Sequence, residues 1–211
     1  MAKLHTLARM GQAIWFDYIS RSLITSGEMQ SLIDQGIRGV TSNPTIFEKA
    51  IAGSTHYDDD LVSLAKDGMS VEGIYERLAL TDIALTADLF RKVYDETGGL
   101  DGYVSIEVSP ELAYDTDKTI QEARRLFSLL NRPNIMIKVP ATGEGVPAVE
   151  ALISEGVNVN VTLLFSVSRY EEVVQAYLSG LERLLDSGGD IGGVASVASF
   201  FVSRVDTSLD P

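Results

Sequence analysis

Six short apolar runs, each separated from the next by helical patterning rather than by a turn, commit this chain to a parallel sheet. The runs are residues 13–18, 37–43, 102–108, 134–140, 157–162 and 194–199. Met29, Leu32 and Ile33 follow the Thr25-Ser26-Gly27-Glu28 cap signal at helical spacing, and Gly36 stops that helix. Between Pro44 and Gly99 only helical patterns occur: 45–51, 57–66, and a long one from Ser70 toward Val93 with a break near Leu80. Asp115-Thr116-Asp117 caps a helix carrying Ile120, Ala123, Leu126, Phe127 and Leu130, and a further helix covers 147–153. From Ser166 to Leu185 an amphipathic helix carries Val173, Val174, Tyr177, Leu181, Leu184 and Leu185 on one stripe. Strand–helix alternation without hairpin signals requires helical crossovers between parallel strands.

Two architectures satisfy that pattern, the doubly wound open sheet and the (β/α)8 barrel. An open sheet buries both faces with apolar residues. Here several strands carry polar residues on one parity: Asp17, Thr41 and Asn43, Ser105 and Glu107, and Asn158, Asn160 and Thr162. Their neighbours on the other parity are mostly Val, Ile or Phe. Successive strand residues point to opposite faces, so the asymmetry predicts a β-branched side under helices and a lumen turning polar at its C-terminal mouth. No GxGxxG or Walker loop supports a nucleotide-binding sheet. The expected fold class is therefore α/β, a TIM-type barrel. Such a barrel needs eight strands and about 250 residues, and only six units are legible. Either two strands hide within 44–99 or the sequence is a C-terminally truncated barrel. The 206–211 segment reads as a chain interrupted, which favours the second. With no linker, low-complexity tract or charge block, residues 1–211 are expected to form a single domain.

Composition narrows the function. A net charge of −13 makes nucleic acid and anionic membrane surfaces poor partners. Any phosphate site must then be local, built from a few cations or backbone N–H groups. The absence of Cys removes disulfides, thiolate metal sites and thiol nucleophiles, and fits a reducing compartment. Residues 1–12 lack the apolar core of a signal peptide and no segment is long enough to span a bilayer, so the expected location is cytoplasmic. His5 and His56 lie far from any motif and read as surface residues.

The run Ile135-Met136-Ile137-Lys138-Val139-Pro140 places one cation on the face opposite Ile135, Ile137 and Val139. An amine kept from water is held toward its neutral form, in which it can attack a carbonyl and form a Schiff base. Taken alone, Lys138 equally reads as a strand-end Lys snorkelling to solvent. Asp17 could cap a helix, Asn43 could form an Asx turn before Pro44, and Asn160 and Thr162 could tie loops together. Glu107 resists such a reading, since a carboxylate ending Val104-Ser105-Ile106-Glu107-Val108 is costly without a partner. Six polar residues sharing the inward parity at strand ends favour a common site.

These runs also resemble the successive motifs of the transaldolase family. The residues are Gly39-Val40-Thr41-Ser42-Asn43-Pro44, the Glu107 and Lys138 strands with Ala141-Thr142, Asn160-Val161-Thr162-Leu163-Leu164-Phe165-Ser166, and Ser199-Phe200-Phe201-Val202-Ser203-Arg204-Val205-Asp206. The resemblance implies a (β/α)8 barrel that moves a dihydroxyacetone unit between sugar phosphates in the pentose phosphate pathway, with no metal or organic cofactor. It implies that Lys138 is the Schiff-base nucleophile and that Glu107 shuttles protons through a water positioned by Thr162. Asp17 would take the proton from the substrate hydroxyl. Asn43 and Asn160 would bind hydroxyls of the dihydroxyacetone unit, with Thr41 on the same wall. Ser199 matches a pocket residue and Arg204 a phosphate-binding Arg, for which a plain surface cation is the alternative. Two departures stand out: the family's second phosphate Arg belongs to a βα unit this sequence lacks, and Ser203 stands where many members have Gly. The related fructose 6-phosphate aldolases release free dihydroxyacetone, but use a different proton-transfer set from Asp17 and Glu107. A non-catalytic barrel fragment is the rival from outside the enzymes. Homo-oligomerisation is left open.

Overall fold

The computed structural model describes residues 3–210; Met1, Ala2 and Pro211, at the ends of the first and last stretches read above, lie outside them. The chain divides into two compact units interleaved in sequence, Met1–Ile106 with Arg132–Ile135, and Glu107–Asn131 with Met136–Pro211.

In the first unit the elements run α1 (Lys3–Arg9), β1 (Trp15–Phe16), α2 (Arg21–Thr25), α3 (Glu28–Gln35), β2 (Gly39–Val40), α4 (Pro44–Ala52), α5 (Asp58–Lys66), α6 (Val71–Glu96) and β3 (Tyr103–Glu107), whose last residue falls in the second unit. β1 pairs with β2 and β2 with β3, all parallel, with Trp15 opposite Gly39 and Gly39 opposite Tyr103. Gly39 is required there: a Cβ would meet the Trp15 ring at 2.5 Å. Ser70 caps α6, its hydroxyl accepting from Gly73 N at 3.1 Å. The helix then runs unbroken past Leu80, because Leu78, Ile83, Ala87, Phe90 and Val93 keep one buried stripe at helical spacing throughout. No strand interrupts the described residues between Pro44 and Glu96, so the two missing strands do not hide there.

The second unit holds α7 (Thr116–Leu130), β4 (Ile135–Pro140, its first residue in the first unit), α8 (Gly145–Ser154), β5 (Val159–Leu164), α9 (Val167–Asp186), β6 (Ser196–Phe200) and α10 (Val202–Leu209). β4 pairs with β5 and β5 with β6, again parallel. Asp115 caps α7 by accepting from Lys118 N at 3.0 Å, and Ser166 caps α9 by accepting from Arg169 N at 3.2 Å. Ala148, Val149, Leu152 and Ile153 of α8 are fully buried. Gly180 lets α9 approach α8 closely, since a Cβ there would meet Glu150 O and Ile153 Cβ at 2.8 Å.

In both units consecutive strands are sheet neighbours with helices between them, and no reversal of strand order occurs within either. That is the connectivity of an incomplete TIM-type barrel, and the fold class is α/β. Several boundaries move from the sequence reading. β5 starts two residues later than read, although Asn158 O already accepts from Ile137 N at 2.9 Å and its Oδ1 accepts from Ala195 N at 2.9 Å. α8 begins at Gly145 rather than 147. The short helices α1, α2 and α10 have too few periodic residues to be read from the sequence. His5 is not a free surface residue: its ring bonds Asp34 O at 2.8 Å and faces the Arg38 guanidinium at 3.2 Å. No helix among the described residues is long and apolar enough to cross a membrane.

One polar cluster is embedded in the first unit. Asp82, fully buried on the α6 stripe, accepts from Arg21 Nε and, at 2.7 Å, from the Tyr57 hydroxyl. Tyr57 accepts in turn from Arg21 N at 2.8 Å, and Arg21 also pairs with Asp60 at 2.8 Å. Burial holds the Asp82 carboxyl above the ordinary carboxylate range, against the pull of Arg21 and Tyr57, and pushes the Tyr57 phenol up. Removing one partner of a buried pair strands the other, so Asp82→Ala should cost about 3–5 kcal/mol. Tyr57→Phe, which orphans a single amide and weakens the carboxylate's shell, should cost about 1–3 kcal/mol. Urea denaturation midpoints at neutral pH measure both, and an unshifted midpoint for Asp82→Ala would show the cluster to be ornamental.

Candidate active site

β4 is buried along its whole length, so Lys138 sits in a low-water environment that its strand position dictates. Its Nζ lies 3.2 Å from Glu107 Oε2, with side-chain exposures of 6% and 15%. The separation is that of a salt bridge, at the outer edge of the reach over which a proton can be exchanged. Glu107 ends β3, and Val108 N donates to Lys138 O at 3.2 Å, so the backbones beside the two side chains are joined as well.

The parallel register brings the next polar residues alongside. Lys138 stands opposite Asn160, and Pro140 opposite Thr162, both buried. Asn160 Oδ1 accepts from the Ser199 hydroxyl at 2.8 Å, extending the array to β6. Between Val161 and Leu164 the β5–β6 register slips, and Leu163 adopts φ +63°, a strained conformation for a residue with a Cβ. The bulge follows Thr162 directly. Glu107, Lys138, Asn160, Thr162 and Ser199 thus form one array in the second unit. Arg204 is exposed on α10, its guanidinium 4.6 Å over the Phe201 ring, which stacks on Phe165 at 6.1 Å.

The first unit carries the other three residues. Asp17 is exposed and caps no helix; Ser20 is the N-cap of α2. Thr41 is half-buried, with its N bonded to Phe16 O at 3.0 Å. Asn43 is the N-cap of α4, its Oδ1 accepting from Ile46 N at 3.0 Å, which leaves the amide N–H2 end as the donor toward any ligand. In place of the Asx turn read from the sequence, Asn43 therefore serves as a helix N-cap. Sequence reasoning missed Asp82, although a carboxylate on the Leu78, Ile83, Phe90 stripe was a visible signal. It also assigned no role to Thr142, whose bonds depend on a loop far away in sequence.

Residues 14–211 match the family described as Transaldolase/Fructose-6-phosphate aldolase. The chain belongs to that family. It is 54% identical over 205 residues to a protein named Transaldolase from Trichodesmium erythraeum, covering 97% of this chain and 54% of that relative. A Transaldolase 2 from Nostoc sp. is 53% identical over 201 residues, 95% of this chain and 53% of the relative. A Transaldolase from Acidothermus cellulolyticus is 51% identical over 208 residues, 98% and 56%. The chain spans about half the length of these curated relatives. The resemblance read from the motifs is thereby upheld.

The buried pair makes an asymmetric prediction. Glu107→Ala removes the carboxylate 3.2 Å from a sheltered amine and should cost about 3 kcal/mol. The double variant Glu107→Leu/Lys138→Met, which replaces both charged groups by apolar side chains, should be neutral or stabilising. Thermal and urea unfolding of the two variants check the difference; equal destabilisation would argue against an ionic pair.

Proposed function

We propose that this chain carries the Schiff-base half-site of a transaldolase, which transfers a dihydroxyacetone unit from a ketose phosphate to an aldose phosphate. The donors would be sedoheptulose 7-phosphate or fructose 6-phosphate, and the acceptors glyceraldehyde 3-phosphate or erythrose 4-phosphate, in the pentose phosphate pathway. One observation carries the reading: a buried Lys138 amine held 3.2 Å from the Glu107 carboxylate in a chain of this family.

The chemistry follows from those groups. With its proton passed to Glu107, Lys138 Nζ attacks the ketone carbon, and Glu107 returns a proton as the carbinolamine loses water. The resulting iminium accepts the electron pair released when the adjacent carbon–carbon bond breaks. Asp17 takes the proton from the hydroxyl whose oxygen becomes the departing aldehyde. The enamine left on Lys138 then attacks the acceptor aldehyde, and the steps run in reverse to release the new ketose. Thr162, two residues beyond the Asn160 that stands opposite Lys138, would position the water that Glu107 uses. Asn43, Thr41 and Asn160 would hold hydroxyls of the three-carbon unit, with Ser199 fixing Asn160. Arg204 would grip the phosphate, leaving its aromatic stack to do so. A cytoplasmic location accords with this chemistry.

The family description also names fructose 6-phosphate aldolases, which supports one alternative within the same chemistry. Incubation with fructose 6-phosphate and borohydride should trap a stable adduct on Lys138 and none on Lys138→Ala. Turnover should require an acceptor aldose phosphate. Release of free dihydroxyacetone without acceptor would assign the aldolase activity instead, and absence of any adduct would leave a non-catalytic fragment. We also expect the 211 residues alone to turn over more slowly than a C-terminally extended form, because the relatives are about twice as long; equal turnover would refute this.

A further inference from the structure

We propose that Thr142 is a positioning residue that fixes the Lys138–Glu107 separation by stitching the loop after β4 to the loop after β3, an inference that rests on the Schiff-base reading above. The Thr142 hydroxyl donates to Ala113 O at 2.6 Å and accepts from Gly145 N at 2.9 Å. Ala113 belongs to the turn that follows Glu107, so one oxygen links the segment carrying the amine to the segment carrying the acid. A reciprocal bond runs beside it, from the Thr116 hydroxyl to Glu144 O at 2.7 Å.

Both loops are themselves closed. Thr119 holds the Glu107 side, donating to Leu112 O at 2.9 Å. On the Lys138 side the chain folds back onto its own strand end so tightly that a Cβ at Gly145 would stand 1.9 Å from Pro140 O. Ala141 N donates to Thr162 O at 2.8 Å, which anchors the same loop to β5. The frame around the pair therefore closes through Thr142 on one side and through β5 on the other.

A lysine and a glutamate each have many rotamers, so a fixed N···O separation demands that their backbones be fixed. Directional hydrogen bonds between the two loops supply that constraint, where apolar contacts would allow sliding. Proton exchange during carbinolamine dehydration depends steeply on the separation, while ground-state binding of a sugar phosphate does not. Loss of the stitch should therefore appear in kcat and leave KM largely unmoved.

The test compares Thr142→Val, which keeps shape and removes the oxygen, with Thr142→Ser, which keeps the oxygen. The assay uses whichever of the 211-residue and extended forms turns over faster, with fructose 6-phosphate and erythrose-type acceptor aldose phosphate. Rates are normalised to the fraction of chains that borohydride traps at Lys138, so partial unfolding cancels. Thr142→Val should lose about 10–100-fold in kcat per trapped site, with KM changed by less than about threefold. Thr142→Ser should restore kcat. Should Thr142→Val fail to fold, Thr116→Val removes the reciprocal bond and should lower kcat in the same sense. Unchanged kcat per trapped site in the Val variant, or a Ser variant as impaired as Val, overturns the positioning role while leaving the Schiff-base reading standing. A parent protein that traps no adduct at Lys138 sinks both.

Discussion

A sheltered ammonium facing a carboxylate is the interaction to which the second unit is subordinate. Replacing both groups by apolar ones would satisfy the core at least as well, because desolvation of two charges opposes their attraction. Stability therefore does not explain why Lys138 and Glu107 occupy interior strand ends. The surrounding structure keeps the two backbones in register: β4 is buried throughout, its neighbour β5 presents Asn160 and Thr162 at matched positions, and the loops beyond are bonded to each other. Directional bonds hold these two loops together where a packed hydrocarbon contact would tolerate a shift.

The first unit uses the same physics for a different element. Asp82 interrupts an otherwise apolar stripe on α6, and its carboxylate fixes Arg21 and Tyr57 together at the start of α2. Asp17 lies in the turn immediately before that helix, where Ile19 and Ser20 are buried and Ser20 caps the first turn. An exposed acid on a loop has many poses; an exposed acid on a loop whose far end is pinned by a buried ionic cluster has few. Asn43 is tied to a helix start in the same way, since its side-chain oxygen closes the first turn of α4.

Membership in the family and the half-length match bear on the edges of the molecule. β6 is partly exposed where β4 is wholly buried, and Phe165, Phe200 and Val202 are exposed near it. Arg204, its guanidinium resting on the Phe201 ring, belongs to the same exposed region.

Much of this was legible before any coordinates. Strand–helix alternation with polar residues on one parity gave the α/β class, and the Lys138 strand stood out because a cation broke an apolar face. Capping residues placed α6, α7 and α9 to within a residue or two. The long helix from Val71 to Glu96 was misjudged at Leu80, because its core positions are fixed only by what packs on them. The start of β5 was read two residues early, because the pairing that defines it is made with β4 and β6, segments distant in sequence. Period, propensity and caps are local, so the chain by itself determined which segments are strands and which residues point inward. Only the tertiary structure decided that Glu107 stands one hydrogen bond from Lys138, that Asp82 meets Arg21 and Tyr57, and that Thr142 spans two loops, because each is a contact between segments whose sequences carry no information about their separation in space.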